Sequence, residues 1–174
     1  MVALGDTLTT RFGADETVTD TKDLDRAIKW KEDALKVGSD NESDKANLLS
    51  SHGDALHTRF TADATETKPA SLERAIKLKE QAVEVAPKDS NVHATHLLGL
   101  GDTLQTKFES KDIETNADDI HRTIEVKKQA VDLMGNEHAT NQAAVLSSLA
   151  SAYQTRLASD ETDTHPHDID CAIT

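Results

Sequence analysis

His93 and His96 stand three residues apart, a spacing that on a helix puts two imidazoles on one face, as two ligands of a metal ion would require. His165 and His167 flank Pro166 and make a second close pair. Neither pair has cysteine or carboxylate companions at ligand spacing, so the sequence assigns no metal. His52 and His57 are five apart and point to different sides of a helix. The eight histidines are accordingly read as polar surface residues. Cys171 lies near His165 and His167, which suggests a thiol–imidazole pair, but nothing supplies an oxyanion hole or a group to orient the imidazole. Gly99 and Gly101 do not open a strand-to-helix phosphate loop. No catalytic residue, metal or cofactor is expected, and the chain does not read as an enzyme.

The other chemically capable side chains are carboxylates that recur. Asp6 lies in Gly5-Asp6-Thr7-Leu8-Thr9-Thr10-Arg11-Phe12, which returns as Gly53-Asp54-Ala55-Leu56-His57-Thr58-Arg59-Phe60. It returns again as Gly101-Asp102-Thr103-Leu104-Gln105-Thr106-Lys107-Phe108, and more weakly as Ala150-Ser151-Ala152-Tyr153-Gln154-Thr155-Arg156-Leu157. The steps are 48, 48 and 49 residues. A second block keeps the same steps: Leu24-Asp25-Arg26-Ala27-Ile28, Leu72-Glu73-Arg74-Ala75-Ile76, Ile120-His121-Arg122-Thr123-Ile124 and Ile169-Asp170-Cys171-Ala172-Ile173. Cys171 thus replaces Arg26 of the first copy, which favours an inert thiol. Self-similarity at a fixed period marks a repeat architecture. The copies are approximately 1–48, 49–96, 97–145 and a partial 146–174, in one array spanning 1–174.

Both blocks have helical periodicity. Leu49, Gly53, Leu56 and Phe60 form one stripe at spacings of four, three and four, repeated by Leu97, Gly101, Leu104 and Phe108. In the second block Leu72, Ala75, Ile76, Ala82 and Val83 lie opposite Lys77, Glu80 and Glu84. Pro69 suits a first helical turn, Pro87 stops a helix, and Gly38 and Gly135 stand near the equivalent stops. Segments 13–21, 61–68, 109–116 and 158–165, rich in Asp, Thr and Glu, read as loops. Seven or eight helices result, alternating between an A and a B type, with no strand. Phe12, Phe60 and Phe108 are expected to anchor helix A onto helix B. Lys31, Lys79 and Lys127 share one position of helix B and are expected to lay their stems over the core edge with the charge in water.

Composition narrows the partner. Of the 174 residues 36% are hydrophobic and only 3% aromatic, so the core must come from Leu, Ile, Val and Ala, which suits close-packed helices. A net charge of −13 opposes both nucleic acid and anionic membranes, and favours basic partners. One cysteine, no long apolar run and no signal-peptide pattern point to the cytoplasm.

The two blocks resemble the tetratricopeptide helix pair. Leu4-Gly5 and Leu100-Gly101 carry the family's helix A element, each with a leucine three residues on (Leu8, Leu104), and Gly53 carries it with His52 in place of leucine. In helix B, Ala27 with Ala34, Ala75 with Ala82, and Thr123 with Ala130 match the small packing positions, and Pro87 matches the terminating proline. The family's usual period is about 34 residues; here the excess lies mostly between helices A and B, and the helix A aromatics are missing except Tyr153. The long variant is similar to repeats of large fungal proteins, where such arrays flank caspase-like or nucleotide-binding domains.

The resemblance implies a superhelical solenoid of antiparallel helix pairs, all-α, with helix A lining a concave groove. Carried over from each glycine, the lining is Asp6, Asp54, Asp102 and Ser151, then Thr9, His57, Gln105 and Gln154 one turn on. That groove would take a Lys- or Arg-bearing protein or peptide. The competing expectation is that the aspartates pack locally against Arg11, Arg59 and Lys107. The positions of the family's carboxylate clamp fall on Val2, Ser50 and Leu98, none basic, which argues against a chaperone-tail adaptor. Neither end resembles a polar capping helix, so the chain reads as a segment of a larger protein. The expected role is a protein–protein interaction or scaffolding module; the alternative is a structural spacer or self-association arm stacking through its uncapped ends.

Overall fold

In the computed structural model, residues 21–62, 68–88, 91–110, 113–134 and 139–159 are described. They form six helices: α1 (Thr21–Val37), α2 (Glu42–Ala62), α3 (Lys68–Val85), α4 (Asn91–Glu109), α5 (Ala117–Met134) and α6 (Ala139–Ser159). No strand occurs among the described residues, which are all-α as read from the periodicity. Asp6, Thr9, Arg11, Phe12, Gly135, His165, His167 and Cys171 lie outside the described residues.

Local chemistry sets the helix ends. Pro69 lies in the first turn of α3, and Pro87 follows its end by two residues. After α1, Gly38 adopts φ +81° and its N–H donates to the Ala34 carbonyl at 3.1 Å, the left-handed closure that suits glycine. Asn41 caps α2 by accepting from the Asp44 N–H at 3.1 Å. At α5 the cap is reciprocal: Asn116 Oδ1 accepts from the Asp118 and Asp119 N–H groups, and Asp119 Oδ2 accepts from the Asn116 N–H at 3.0 Å. Burial pushes the Asp119 carboxyl up, but the Lys107 ammonium, the Asn116 N–H and the Arg122 charge outweigh it and hold it below the usual carboxylate range.

The chain divides into two compact units, one ending at Pro87 and the other beginning at Lys88. In the first, α2 packs against α1 and α3. Its core joins Leu24 and Ile28 of α1, Ala55 and Leu56 of α2, and Ala75 of α3. In the second, α5 packs against α4 and α6, and α4 also touches α6. Ile120 and Ile124 of α5 meet Ala152 and Tyr153 of α6 there, with Phe108 of α4 against them.

At several apolar positions, residues 48 apart are buried alike. Leu24, Leu72 and Ile120 are all inside, as are Ile28, Ile76 and Ile124. Each such aliphatic side chain contributes roughly 1.5–3 kcal/mol. The small positions Ala27, Ala75 and Thr123 are fully buried and let the helices approach. Thr123 fits because its hydroxyl donates to the Asp119 carbonyl of its own helix at 2.9 Å, so no polar atom is stranded. Phe60 is buried in α2, as expected of an anchor. Among the described residues no helix is long and apolar enough to cross a membrane.

Candidate functional site

The recurring Gly-Asp pair of helix A is matched by the recurring lysine of helix B. Gly53 faces Lys79, and a Cβ at position 53 would lie 2.8 Å from Lys79 Cγ and 3.1 Å from the Ala75 carbonyl oxygen. A Cβ at Gly101 would lie 2.7 Å from Lys127 Cγ. Real Cβ atoms do not approach so closely, so each glycine forms a trough that the lysine stem fills. The stem then delivers its ammonium to the adjoining aspartate: Lys79 Nζ is 2.5 Å from Asp54 Oδ1, and Lys127 Nζ is 2.9 Å from Asp102 Oδ1.

This corrects the expectation that the lysine charges point into water. Lys31, Lys79 and Lys127 are 1%, 3% and 1% exposed, and the ammonium groups of Lys79 and Lys127 end on carboxylates. A buried ammonium is tolerated only when it is paired and hydrogen-bonded. The local partners expected for the aspartates also change: Arg59 pairs with Asp25 at 3.1 Å and Lys107 with Asp119 at 2.7 Å.

In the second unit the pair joins a larger polar arrangement between α4 and α6. Lys127 Nζ also donates to Gln105 Oε1 at 2.5 Å and to the Ser148 carbonyl at 3.2 Å. The Ser148 hydroxyl donates to Asp102 Oδ1 at 2.7 Å. Gln105 Nε2 has three acceptors in reach: Glu109 Oε1 at 2.7 Å, Ser151 Oγ at 3.0 Å and Thr155 Oγ1 at 3.1 Å. Thr155 in turn donates to Glu109 Oε1 at 2.8 Å. All of these groups except Thr155 border a cleft of about 540 Å³ lined by Asp102, Gln105, Thr106, Glu109, Lys127, Ala144, Ser147, Ser148 and Ser151.

Of the groove residues expected from the sequence, the structure brings Asp102, Gln105 and Ser151 together on this cleft. Gln154 is exposed and does not line it. Asp54 and His57 belong to the first unit, Asp54 paired with Lys79 and His57 partly buried. Asp6 lies outside the described residues. Glu109, Lys127 and Ser148 line the cleft without a place in the expected groove, and Thr155 supports it through Gln105 and Glu109. A signal existed for α6, where Ser148, Ser151 and Thr155 fall at spacings of three and four and make one hydroxyl stripe.

The histidine reading also changes. His52, His93 and His96 are 1%, 7% and 5% exposed, not surface residues. Each lies on an apolar stripe: His52 is three residues after Leu49 and four before Leu56, and His93 and His96 stand four before Leu97 and Leu100. Burial drives the His52 imidazole down to about 4, helped by the positive charges of Arg74 and Lys31 and opposed by Glu32. Among the described residues, no three His, Cys, Asp or Glu side chains gather as a metal site would need.

No protein-family model, curated protein or solved structure matches this chain.

Proposed function

We propose that this chain is a tetratricopeptide-like cytoplasmic solenoid, serving as a protein–protein interaction module. Its second unit takes an extended, Lys- or Arg-bearing segment of a partner along the cleft between α4 and α6. The observation that carries this reading is the cleft itself: polar side chains from two helices, held in place by mutual hydrogen bonds, open along a surface instead of closing a pocket. Preordered groups of this kind lower the ordering cost of binding. Asp102 and Glu109 against Lys127 leave the lining net negative, in keeping with the −13 charge of the chain.

Random-peptide display against the whole chain tests the proposal, with a Ser151→Arg chain as comparison. Ser151 borders the cleft, so arginine there fills the space and reverses the local charge. Peptides rich in Lys and Arg are expected to enrich on the wild type and to bind the variant roughly tenfold more weakly, about 1.4 kcal/mol. Peptides that bind both chains alike, or no enrichment at all, would overturn it.

A further inference from the structure

The binding role gives His52 no task. Its ring lies inside the first unit on α2, 1% exposed, and among the described residues neither ring nitrogen has a hydrogen-bond partner. A buried polar group left without a partner costs stability. The position 48 residues on is Leu100, also buried, so an apolar side chain is adequate at the matching place. The charged groups acting on the ring are Lys31 and Glu32 from α1 and Arg74 from α3, and Arg74 pairs with Glu32 across those two helices.

We propose that His52 is an acid-sensitive latch of the first unit: uncharged it packs with α1 and α3 as a leucine would, and protonated it adds a cation beside Arg74 and Lys31, so that mild acid opens this unit. The sign follows from linkage. The imidazole titrates near its ordinary 6.5 in the unfolded chain and near 4 when folded, so protons favour the open form between those values. This group's contribution is fully present above the unfolded value and is lost as pH falls towards the folded one, at about tenfold in the unfolding constant per pH unit.

Trp30, the chain's one tryptophan, lies on α1 and reports this unit. The histidines of α4 belong to the other unit and are unchanged in every variant, so comparison with the wild type isolates His52. Denaturant titrations of the whole chain are followed by Trp30 emission for the wild type, His52→Leu and His52→Gln. Between about pH 7.5 and about pH 5 the wild-type unfolding constant is expected to rise about 30-fold more than that of His52→Leu. His52→Gln separates charge from polarity: it is expected to lower stability at both pH values and still to track the leucine variant in pH dependence. An equal pH dependence in all three chains would overturn the latch.

Discussion

Gly101→Val is expected to destabilise the second unit by about 3 kcal/mol, the upper range for overpacking a filled site. Alanine adds only the first carbon, yet that carbon already falls 2.7 Å from Lys127 Cγ and 3.1 Å from Cε. Helix propensity favours alanine over glycine by about 1 kcal/mol, and the clash must overcome that gain. Gly101→Ala is therefore expected to cost about 1 kcal/mol net, and valine more because its branches have no open direction. Lys127 Cγ lies near the root of its side chain, so it cannot swing away as a terminal ammonium could. The decisive comparison is a double-mutant cycle: Gly101→Ala with Lys127→Ala is expected to be less damaging than the sum of the two, with a coupling of about 1–2 kcal/mol by chemical denaturation. Additive effects would mean that the lysine stem does not occupy the glycine trough.

The second large effect is an asymmetry between the two ends of one ion pair. Asp102→Ala leaves the Lys127 ammonium 1% exposed with only the neutral oxygens of Gln105 and Ser148. Removing one partner of a fully buried pair costs about 3–5 kcal/mol, and the half-exposed Asp102 brings the expected loss down to about 2–3 kcal/mol. Lys127→Met keeps the stem in the trough and deletes the charge, while Asp102 turns to water. Its expected cost is within about 1 kcal/mol. Thermal or denaturant unfolding of the two variants checks the order. Equal losses would show that the pair is held chiefly by its surroundings.

These contacts show which parts of the structure could be read in advance. Helix ends were legible because their causes are local: Pro69, Pro87 and Gly38 act on the backbone within a turn, and the loop between α4 and α5 falls where the polar run 109–116 placed it. The stripe of Leu49, Gly53, Leu56 and Phe60 gave the buried face of α2 for the same reason. The lysine row was visible, but the destination of its charge was not, because Lys79 and Asp54 meet only when two helices cross. The constant interval of 25 residues in Asp54–Lys79 and Asp102–Lys127 carried that information without giving its direction.

Residue type alone does not place the histidines. Polar character outweighed position, although His52 stands between Leu49 and Leu56 on the very stripe that defined the core. An uncharged imidazole is small and flat enough to serve there, at the cost of its unmet hydrogen bonds. For the candidate site, the carboxylate of Asp102 and the amide of Gln105 were legible as a pair one turn apart on α4. Their hydroxyl partners were not, because Ser148, Ser151 and Thr155 enter from a helix more than 40 residues away in sequence.

The cleft between α4 and α6 as the docking surface for a basic segment is tested most directly by where a bound peptide acts. A Lys- and Arg-bearing peptide selected by display is titrated into the isotope-labelled chain while backbone amide shifts are recorded. The largest changes are predicted at Asp102, Gln105, Glu109, Ser148 and Ser151, and Ser151→Arg is predicted to abolish them. Saturable changes confined to residues 113–116 or to the first unit, with those five amides unmoved, would contradict it.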